Sequence, residues 1–260
     1  MSPFLQPESA HPGLCRSGGI IIYLLLAWGL VPTEGAVLTH VFGRERKAGA
    51  DLIIMSNGDR LSGMVTNREW ALETRFGVLK LGRDQLAGLR LGEGEAADLM
   101  VTVNANLLAG HLDCGPVSFA LAAGPLVVLD PSKIETILFR RSEMEDAART
   151  SRQYMRLRSG EALTGRISPD PLTLRTPEGM VSVARSDLDF LGPANAGRPD
   201  SRAVLRDKRV VDGTLMNKTF EVDLDIGGHV TVKVDDVDFL MGGDGQRPRE
   251  PERIGGARVV

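Results

Sequence analysis

A pair of glycines fourteen residues apart occurs four times along this chain of 260 residues. The pairs are Gly63/Gly77, Gly110/Gly124, Gly165/Gly179 and Gly213/Gly227. A pattern that returns at a nearly fixed interval indicates a repeat architecture, in which each copy is one small structural unit. The intervals between the first glycines are 47, 55 and 48 residues, so the copies are of similar size.

The residues around each glycine pair alternate between apolar and polar. In the first copy Trp70 and Leu72 precede Gly77, and Leu79 and Leu81 follow it. A period of two is typical of a strand with one buried face. A glycine inside such a strand usually marks a bulge, a bend or the close approach of another backbone, which we expect of the first glycine of each pair. The second glycine falls between two alternating runs, where a hairpin turn needs a positive φ.

The composition favours a globular chain with thin, aliphatic cores. Apolar residues make up 42% of the chain and charged residues 25%, which is typical of a folded protein. The 31 basic and 34 acidic residues nearly balance, and this balance does not favour a general polyanion binder. With only 5% aromatic residues, one short copy buries too little surface by itself, so neighbouring copies should pack together.

The repeat predicts an all-β fold of four tandem, small, bent-sheet modules at residues 50–91, 97–139, 153–192 and 201–241. Between the second and third modules, residues 140–152 lose the alternation, and Ser142 followed by acidic residues predicts a short linker helix. This linker favours packing of the modules as two pairs. Residues 242–260 read as a disordered tail. The pattern leaves open whether each module closes on itself or exchanges strands.

The first 36 residues are interpreted as a signal peptide or an N-terminal anchor. The run Gly18–Val31 holds fourteen mostly apolar residues, which is short for a membrane span of roughly 20 but suits the hydrophobic region of a signal peptide. Cleavage after Gly35 or Ala36 is conceivable, although Glu34 is unfavourable for a cut after Ala36. Both interpretations predict an exported protein, with membrane contact only through this segment.

Acidic residues of the fourth copy are candidate cation ligands. Asp223 and Asp225 alternate with apolar residues and share an outward face, and Asp235 and Asp236 follow in the sequence. Carboxylates bind hard cations such as calcium, but outward polar residues are also what a solvated strand face requires. The second interpretation is favoured, so no metal site is predicted. The segment His111–Cys114 has no counterpart in other copies and is not predicted as a zinc site.

Basic residues of the first copy are candidate ligands for an anionic polymer or lipid headgroups. They are Arg60, Arg75 and Lys80. The same copy also carries acidic residues, so ordinary surface charge is the favoured interpretation.

The second copy is almost uncharged from Val117 to Leu129. Ala120, Ala122 and Ala123 occupy the face that is polar elsewhere. A strand that is apolar on both faces is expected to be covered on both. We therefore predict either a central packing surface within the chain or an interface for a partner.

The run from Leu52 to Val65, with its turn Asn57-Gly58-Asp59, resembles the first motif of Sm-like proteins. In that family a hydrophobic strand, an Asn-Gly turn and a Leu-x-Gly strand begin a small, bent, five-stranded barrel. The run is equally similar to modules of exported bacterial proteins, in which a Leu-x-Thr-x-x-Gly hairpin follows, as at residues 72–77 and 174–179. The resemblance implies tandem Sm-like or SH3-like modules. The RNA-contacting signatures of Sm proteins are absent, so RNA binding is not implied.

The favoured function is that of a non-enzymatic, exported or envelope-associated repeat protein, which acts as an interaction or scaffold module for a protein or envelope polymer. No catalytic residue and no cofactor are predicted, because the chain has no Gly-x-Ser-x-Gly, His-Glu-x-x-His or phosphate-loop motif. One alternative is an Sm-like nucleic-acid binder that uses the basic faces and stays in the cytoplasm. A second is a metal-dependent enzyme that uses the acidic face of the fourth copy.

Overall fold

A computed structural model describes residues 34–43, 46, 48–92, 94, 96–141, 153–194 and 200–242. These residues form twenty strands, one α-helix and four 3₁₀ turns, which confirms the predicted all-β class. Residues 1–33 of the predicted leader, 142–152 of the predicted linker helix and 243–260 of the predicted tail lie outside the described residues.

The helix is α1 (Glu34–Phe42). The strands of the first two copies are β1 (Asp51–Met55), β2 (Arg60–Val65), β3 (Glu69–Thr74), β4 (Gly77–Gly82), β5 (Leu86–Arg90), β6 (Asp98–Thr102), β7 (Leu107–Asp113), β8 (Val117–Leu121), β9 (Leu126–Leu129) and β10 (Ile134–Leu138). Those of the last two are β11 (Gln153–Leu157), β12 (Ala162–Ser168), β13 (Leu172–Thr176), β14 (Gly179–Val183), β15 (Leu188–Pro193), β16 (Ser201–Leu205), β17 (Val210–Leu215), β18 (Thr219–Leu224), β19 (His229–Lys233) and β20 (Val237–Met241). The 3₁₀ turns are Arg83–Gln85, Pro131–Lys133, Arg185–Asp187 and Val234–Asp236.

Neighbouring copies exchange strands. In the first copy β1 pairs with β2, but β2 then pairs with β8 and β1 with β10, both from the second copy. With β9 beside β8, this gives unit 1, with strand order β10–β1–β2–β8–β9. The reciprocal set is unit 2, with order β5–β6–β7–β3–β4. Every pairing is antiparallel.

The third and fourth copies exchange strands in the same way. They form unit 3, with order β20–β11–β12–β18–β19, and unit 4, with order β15–β16–β17–β13–β14. The last strands of the paired copies join the units, β5 with β10 and β15 with β20. Units 2 and 3 meet where Leu107 of β7 pairs with Ala162 of β12. The four units therefore follow one another in the order 1, 2, 3, 4.

The first glycine of each pair lies where the exchanged strand comes closest. A Cβ on Gly63 would be 2.1 Å from the Ala120 carbonyl oxygen, and a Cβ on Gly165 would be 2.1 Å from that of Asp223. Gly110 and Gly213 meet carbonyl oxygens in the same way, at 2.2 and 2.6 Å. The expected close approach of another backbone is present. In all four cases that backbone belongs to the neighbouring copy.

The second glycines behave as expected in three copies. Gly77, Gly179 and Gly227 have φ of +117°, +137° and +82°, which is the region that the hairpin turn requires of a glycine. Gly124 does not adopt a positive φ, so the expectation is wrong there. Pro125 follows it directly, and a residue before proline is driven to the extended region.

Helix α1 is an element that the sequence pattern did not predict. Its side chains Val37, Leu38 and Val41 are buried in a second core together with Tyr154 of β11 and Phe239 of β20. Arg90 Nη2 donates to the Val41 carbonyl oxygen at 2.7 Å near the end of the helix. The helix thus packs where the two halves of the chain meet. No helix among the described residues is long and apolar enough to span a bilayer.

We expect Gly63→Ala to destabilise the protein by about 3 kcal/mol or more, because the new methyl group meets a backbone carbonyl that cannot move without breaking the β2–β8 ladder. Chemical unfolding in urea measures the change. Gly115→Ala is the control, because a Cβ at Gly115 has nothing within 4 Å and its φ is not in the left-handed region. Equal stability of the two variants would contradict the close approach.

The exchange itself is tested by a cysteine pair. Met64 of β2 lies opposite Ala120 of β8, so Met64→Cys/Ala120→Cys should oxidise to a disulfide in a chain in which Cys15 and Cys114 are serine. If the first copy closed on itself, Glu73 would occupy the position of Ala120. The matched pair Met64→Cys/Glu73→Cys should therefore stay reduced. Peptide mapping by mass spectrometry identifies the bond, and the reverse outcome would rule out the exchange.

Candidate interaction surface

The outer surface of β2, β8 and β9 is apolar and exposed. Met64 lies opposite Ala120, and Ala120 lies opposite Leu126, so one row of apolar side chains crosses three strands. Val128 extends the row along β9. Met64, Leu126 and Val128 are 40%, 60% and 66% exposed. We call Met64, Ala120, Leu126 and Val128 the unit 1 apolar face.

The strand geometry explains why this face is exposed. Val117 and Phe119 of β8 point inward and are fully buried, and alternation places Ala120 on the opposite side. Unit 1 stands at one end of the row of units, and among the described strands β9 pairs only with β8. Within the part of the chain that the structure describes, the outer face of the segment Val117–Leu129 is therefore not a central packing surface. The alternative, an interface for a partner, stays a prediction.

The corresponding surface of unit 3 is polar. There Arg166 lies opposite Asp223, and Asp223 lies opposite His229. His229 donates or accepts at both ring nitrogens, with Nδ1 2.8 Å from Asp223 Oδ1 and Nε2 2.8 Å from Glu221 Oε2. The same set of strands thus folds with a charged outer face. Hydrophobicity on the unit 1 apolar face is consequently not required by the fold.

The hydrogen bond to Asp223 and then the bond to Glu221 raise the pKa of His229 above its usual value of 6.5. The two carboxylates engage both ring nitrogens and favour the protonated imidazole. Among the residues that the structure describes, no three potential ligands are grouped so as to hold a metal ion.

The other acidic candidates lie on separate elements. Asp225 is in the turn between β18 and β19, whereas Asp235 and Asp236 are in the last 3₁₀ turn. Asp235 lines a small cleft of about 120 Å³ with Arg158. Asp223, on β18, thus lies on a different element from Asp235 and Asp236.

Arg75, a candidate for binding an anionic ligand, and Asp236, a candidate for binding a cation, lie close to each other. Arg75 is in the turn between β3 and β4, and its guanidinium is 3.1 Å from Glu161 Oε2 and 3.9 Å from Asp236 Oδ2. Glu161 is buried, and these ion pairs cross the contact between units 2 and 3. Arg75 therefore takes part in an internal contact. Arg60 and Lys80 are exposed on β2 and β4.

A cleft of about 600 Å³ lies at the contact of units 1 and 2, and sequence reasoning did not identify it. Its lining includes Asp98, His111 and Cys114. Asp98 accepts hydrogen bonds from the backbone N–H of Gly92 and of Leu112, both at 2.7 Å, so this carboxylate has a structural role. The run His111–Cys114 was the feature of the sequence that could have indicated this cleft.

The chemistry of this cleft does not indicate an enzyme site. Burial, followed by the charges of Asp98 and Asp113, raises the pKa of the Cys114 thiol to about 11. A thiol that stays protonated is a poor nucleophile and a poor metal ligand. His111 Nδ1 is 3.8 Å from Asp98 Oδ2, too far for the hydrogen bond that would orient a catalytic base.

The His229 cluster predicts a specific pH dependence. A pKa raised in the folded state adds stability that is fully present below the unfolded value of 6.5 and is lost as the pH rises through the raised pKa. His229→Gln should therefore destabilise the protein more at about pH 5.5 than at about pH 9, as measured by urea midpoints. His111→Gln is the control, because this exposed ring lacks such hydrogen bonds. A pH-independent effect of His229→Gln would contradict the prediction.

A comparison of the chain with protein-family models, with curated proteins and with solved structures finds no match.

Proposed function

We propose that this chain is a non-enzymatic interaction or scaffold protein of the cell envelope, and that it binds a partner through the unit 1 apolar face. The observation that carries this proposal is the exposure of Leu126 and Val128 at the end of the row of units. Clustered exposed apolar side chains are typical of interaction surfaces. The outer surface of unit 3 supports the proposal. Its strands have the same order and a charged outer face, so folding does not require the unit 1 apolar face to be hydrophobic.

The proposed module type is Sm-like or SH3-like. Support comes from the turn Asn57-Gly58-Asp59, where Asn57 Oδ1 accepts from the Asp59 N–H at 3.0 Å and Gly58 has φ of +88°. The equivalent glycine of the third copy, Gly160, has φ of +96°. Short antiparallel strands with a 3₁₀ turn before the last strand of each copy also fit small bent sheets.

Export is proposed from the apolar run Gly18–Val31, and helix α1 favours an uncleaved anchor over cleavage after Ala36. Such a cut would create an ammonium group on Val37, which is only 4% exposed. Burying a charge is costly, and a positive charge at a helix N-terminus opposes the helix dipole. Retention of the segment avoids both penalties.

The test uses the photo-reactive residue benzoylphenylalanine in the full chain, produced in its native host. Placed at Leu126, it should crosslink a protein or polymer of the envelope fraction. Placed at Met180, which is 58% exposed against 60% for Leu126, it should give much less product. Met180 lies on β14 of unit 4 and is thus a matched aliphatic control.

Equal crosslinking at both positions would contradict a specific surface on unit 1. A nucleic acid as the crosslinked product, or recovery of the chain only from the cytoplasm, would favour the alternative of a nucleic-acid binder. A specific turnover by the purified protein that one polar substitution removes would contradict the non-enzymatic assignment.

A further inference from the structure

Strand β9 is an edge strand without the usual protection. Its residues Leu126–Leu129 carry no charge, and among the described strands they pair on one side only, with β8. Natural sheets normally protect an exposed edge with charged residues, because bare edges pair with other chains. Of the three other outer strands that the structure describes, β4 contains Lys80 and β19 contains Lys233, whereas β14 is uncharged but includes the polar Ser182.

The phase of the ladder shows which backbone groups of β9 point outward. The Leu121 N–H donates to the Pro125 carbonyl oxygen across the hairpin. Hydrogen-bonded and non-hydrogen-bonded pairs alternate in an antiparallel ladder, so Val127 and Leu129 direct their N–H and C=O groups to β8. Those of Leu126 and Val128 point to the free edge. The hydrogen bonds between β8 and β2 agree with this assignment. The Thr66 N–H donates to the Ser118 carbonyl oxygen, so Ser118 bonds to β2 and the residue on either side of it along β8 bonds to β9.

We propose that β9 binds a second copy of this chain by antiparallel pairing of β9 with β9 about a twofold axis at Val127. Leu126 then lies opposite Val128 of the partner subunit, and Val128 opposite Leu126 of the partner subunit. This register uses every outward backbone group of Leu126 and Val128 in four hydrogen bonds. A shift of two residues in either direction leaves only two such bonds.

The chain already uses this kind of contact internally. It joins units 1 and 2 by antiparallel pairing of the equivalent strands β5 and β10, and units 3 and 4 by β15 and β20. An uncharged strand can lie beside its own copy without like-charge repulsion. Antiparallel pairing of β19 with its own copy would place His229 opposite Lys233 of the partner subunit. Two basic side chains opposite each other are unfavourable.

The inference rests on the proposed function and deepens it, because a second copy paired at the β9 edge doubles the unit 1 apolar face that is offered to the envelope partner. Across the axis, Met64, Ala120, Leu126 and Val128 of both copies form one continuous apolar surface. The contact is short and smaller than the roughly 1,200 Å² of a standard stable interface. The dimer should therefore be transient, and its test must capture it where the full chain is concentrated.

The decisive experiment mixes two single-cysteine variants of the full chain, Leu126→Cys and Val128→Cys, with different tags and with Cys15 and Cys114 replaced by serine. Oxidation in the envelope fraction should give mainly the mixed disulfide, because residues 126 and 128 face each other across the axis at about 5.5 Å between Cα atoms. Val78→Cys on β4, which is 61% exposed, is the matched control and should give at least fivefold less dimer.

A charge variant provides the second measurement. Val128→Lys should reduce chemically crosslinked dimer of the otherwise unchanged chain at least tenfold, because the twofold axis brings both lysines into one apolar contact. Val78→Lys should leave the dimer unchanged, and thermal melts should show that both variants stay folded. Val128 is exposed, so its replacement does not disturb the core.

Absence of the mixed disulfide, or no excess of it over the two symmetric products, would overturn the inference. A Leu126 photo-crosslink to a different protein, without any dimer, would also overturn it and would leave the proposed function standing. A dimer that forms without any Leu126 photo-crosslink to another protein or polymer would contradict only the proposed envelope partner.

Discussion

The contact on which the whole fold depends is the approach of an exchanged strand to the first glycine of each repeat. At Gly63, Gly110 and Gly165 a backbone carbonyl of the neighbouring copy occupies the place of a Cβ, at 2.1 to 2.2 Å. Only glycine permits this contact, and it recurs in both halves of the chain. Because the carbonyl comes from another copy, each glycine fixes a tertiary pairing as well as a local bend. No copy completes its sheet without its neighbour.

Within the described row of units, the turns before the second glycines differ between the centre and the two ends. In units 2 and 3 this position is Phe76 and Ile226, and both pack into the core at the contact of the two halves. In units 1 and 4 it is Ala123 and Glu178, which are exposed. The buried Glu161 and its pairing with Arg75 add a polar contact at the centre of the row. Large apolar turn residues thus occur where two described units pack together, and small or charged ones where no other described unit packs against the turn.

Strand positions could be predicted from the sequence, because burial of one face leaves a period of two in the residues. The strand exchange could not be predicted, because β3 and β8 carry the same apolar pattern. The sequence therefore does not show which of the two pairs with β2. Helix α1 was missed because it begins inside the segment that was interpreted as a leader and is too short for Val37, Leu38 and Val41 to show a clear helical period. Arg75 was placed among surface charges because Glu161 lies 86 residues away in the chain, and such a pairing leaves no local signal.

The proposed interaction surface rests on a difference between units that have the same strand order. Units 1 and 3 have equivalent strands, yet Met64, Ala120 and Leu126 occupy the row that is Arg166, Asp223 and His229 in the other unit. An apolar row in water is unfavourable unless something covers it, and the polar row shows that the fold does not require it. The apolar row also includes Leu126 and Val128 of β9, whose uncharged edge offers backbone hydrogen bonds in the plane of the sheet, next to the apolar face. Side-chain and backbone chemistry thus coincide at one place, and a partner that binds there gains from both.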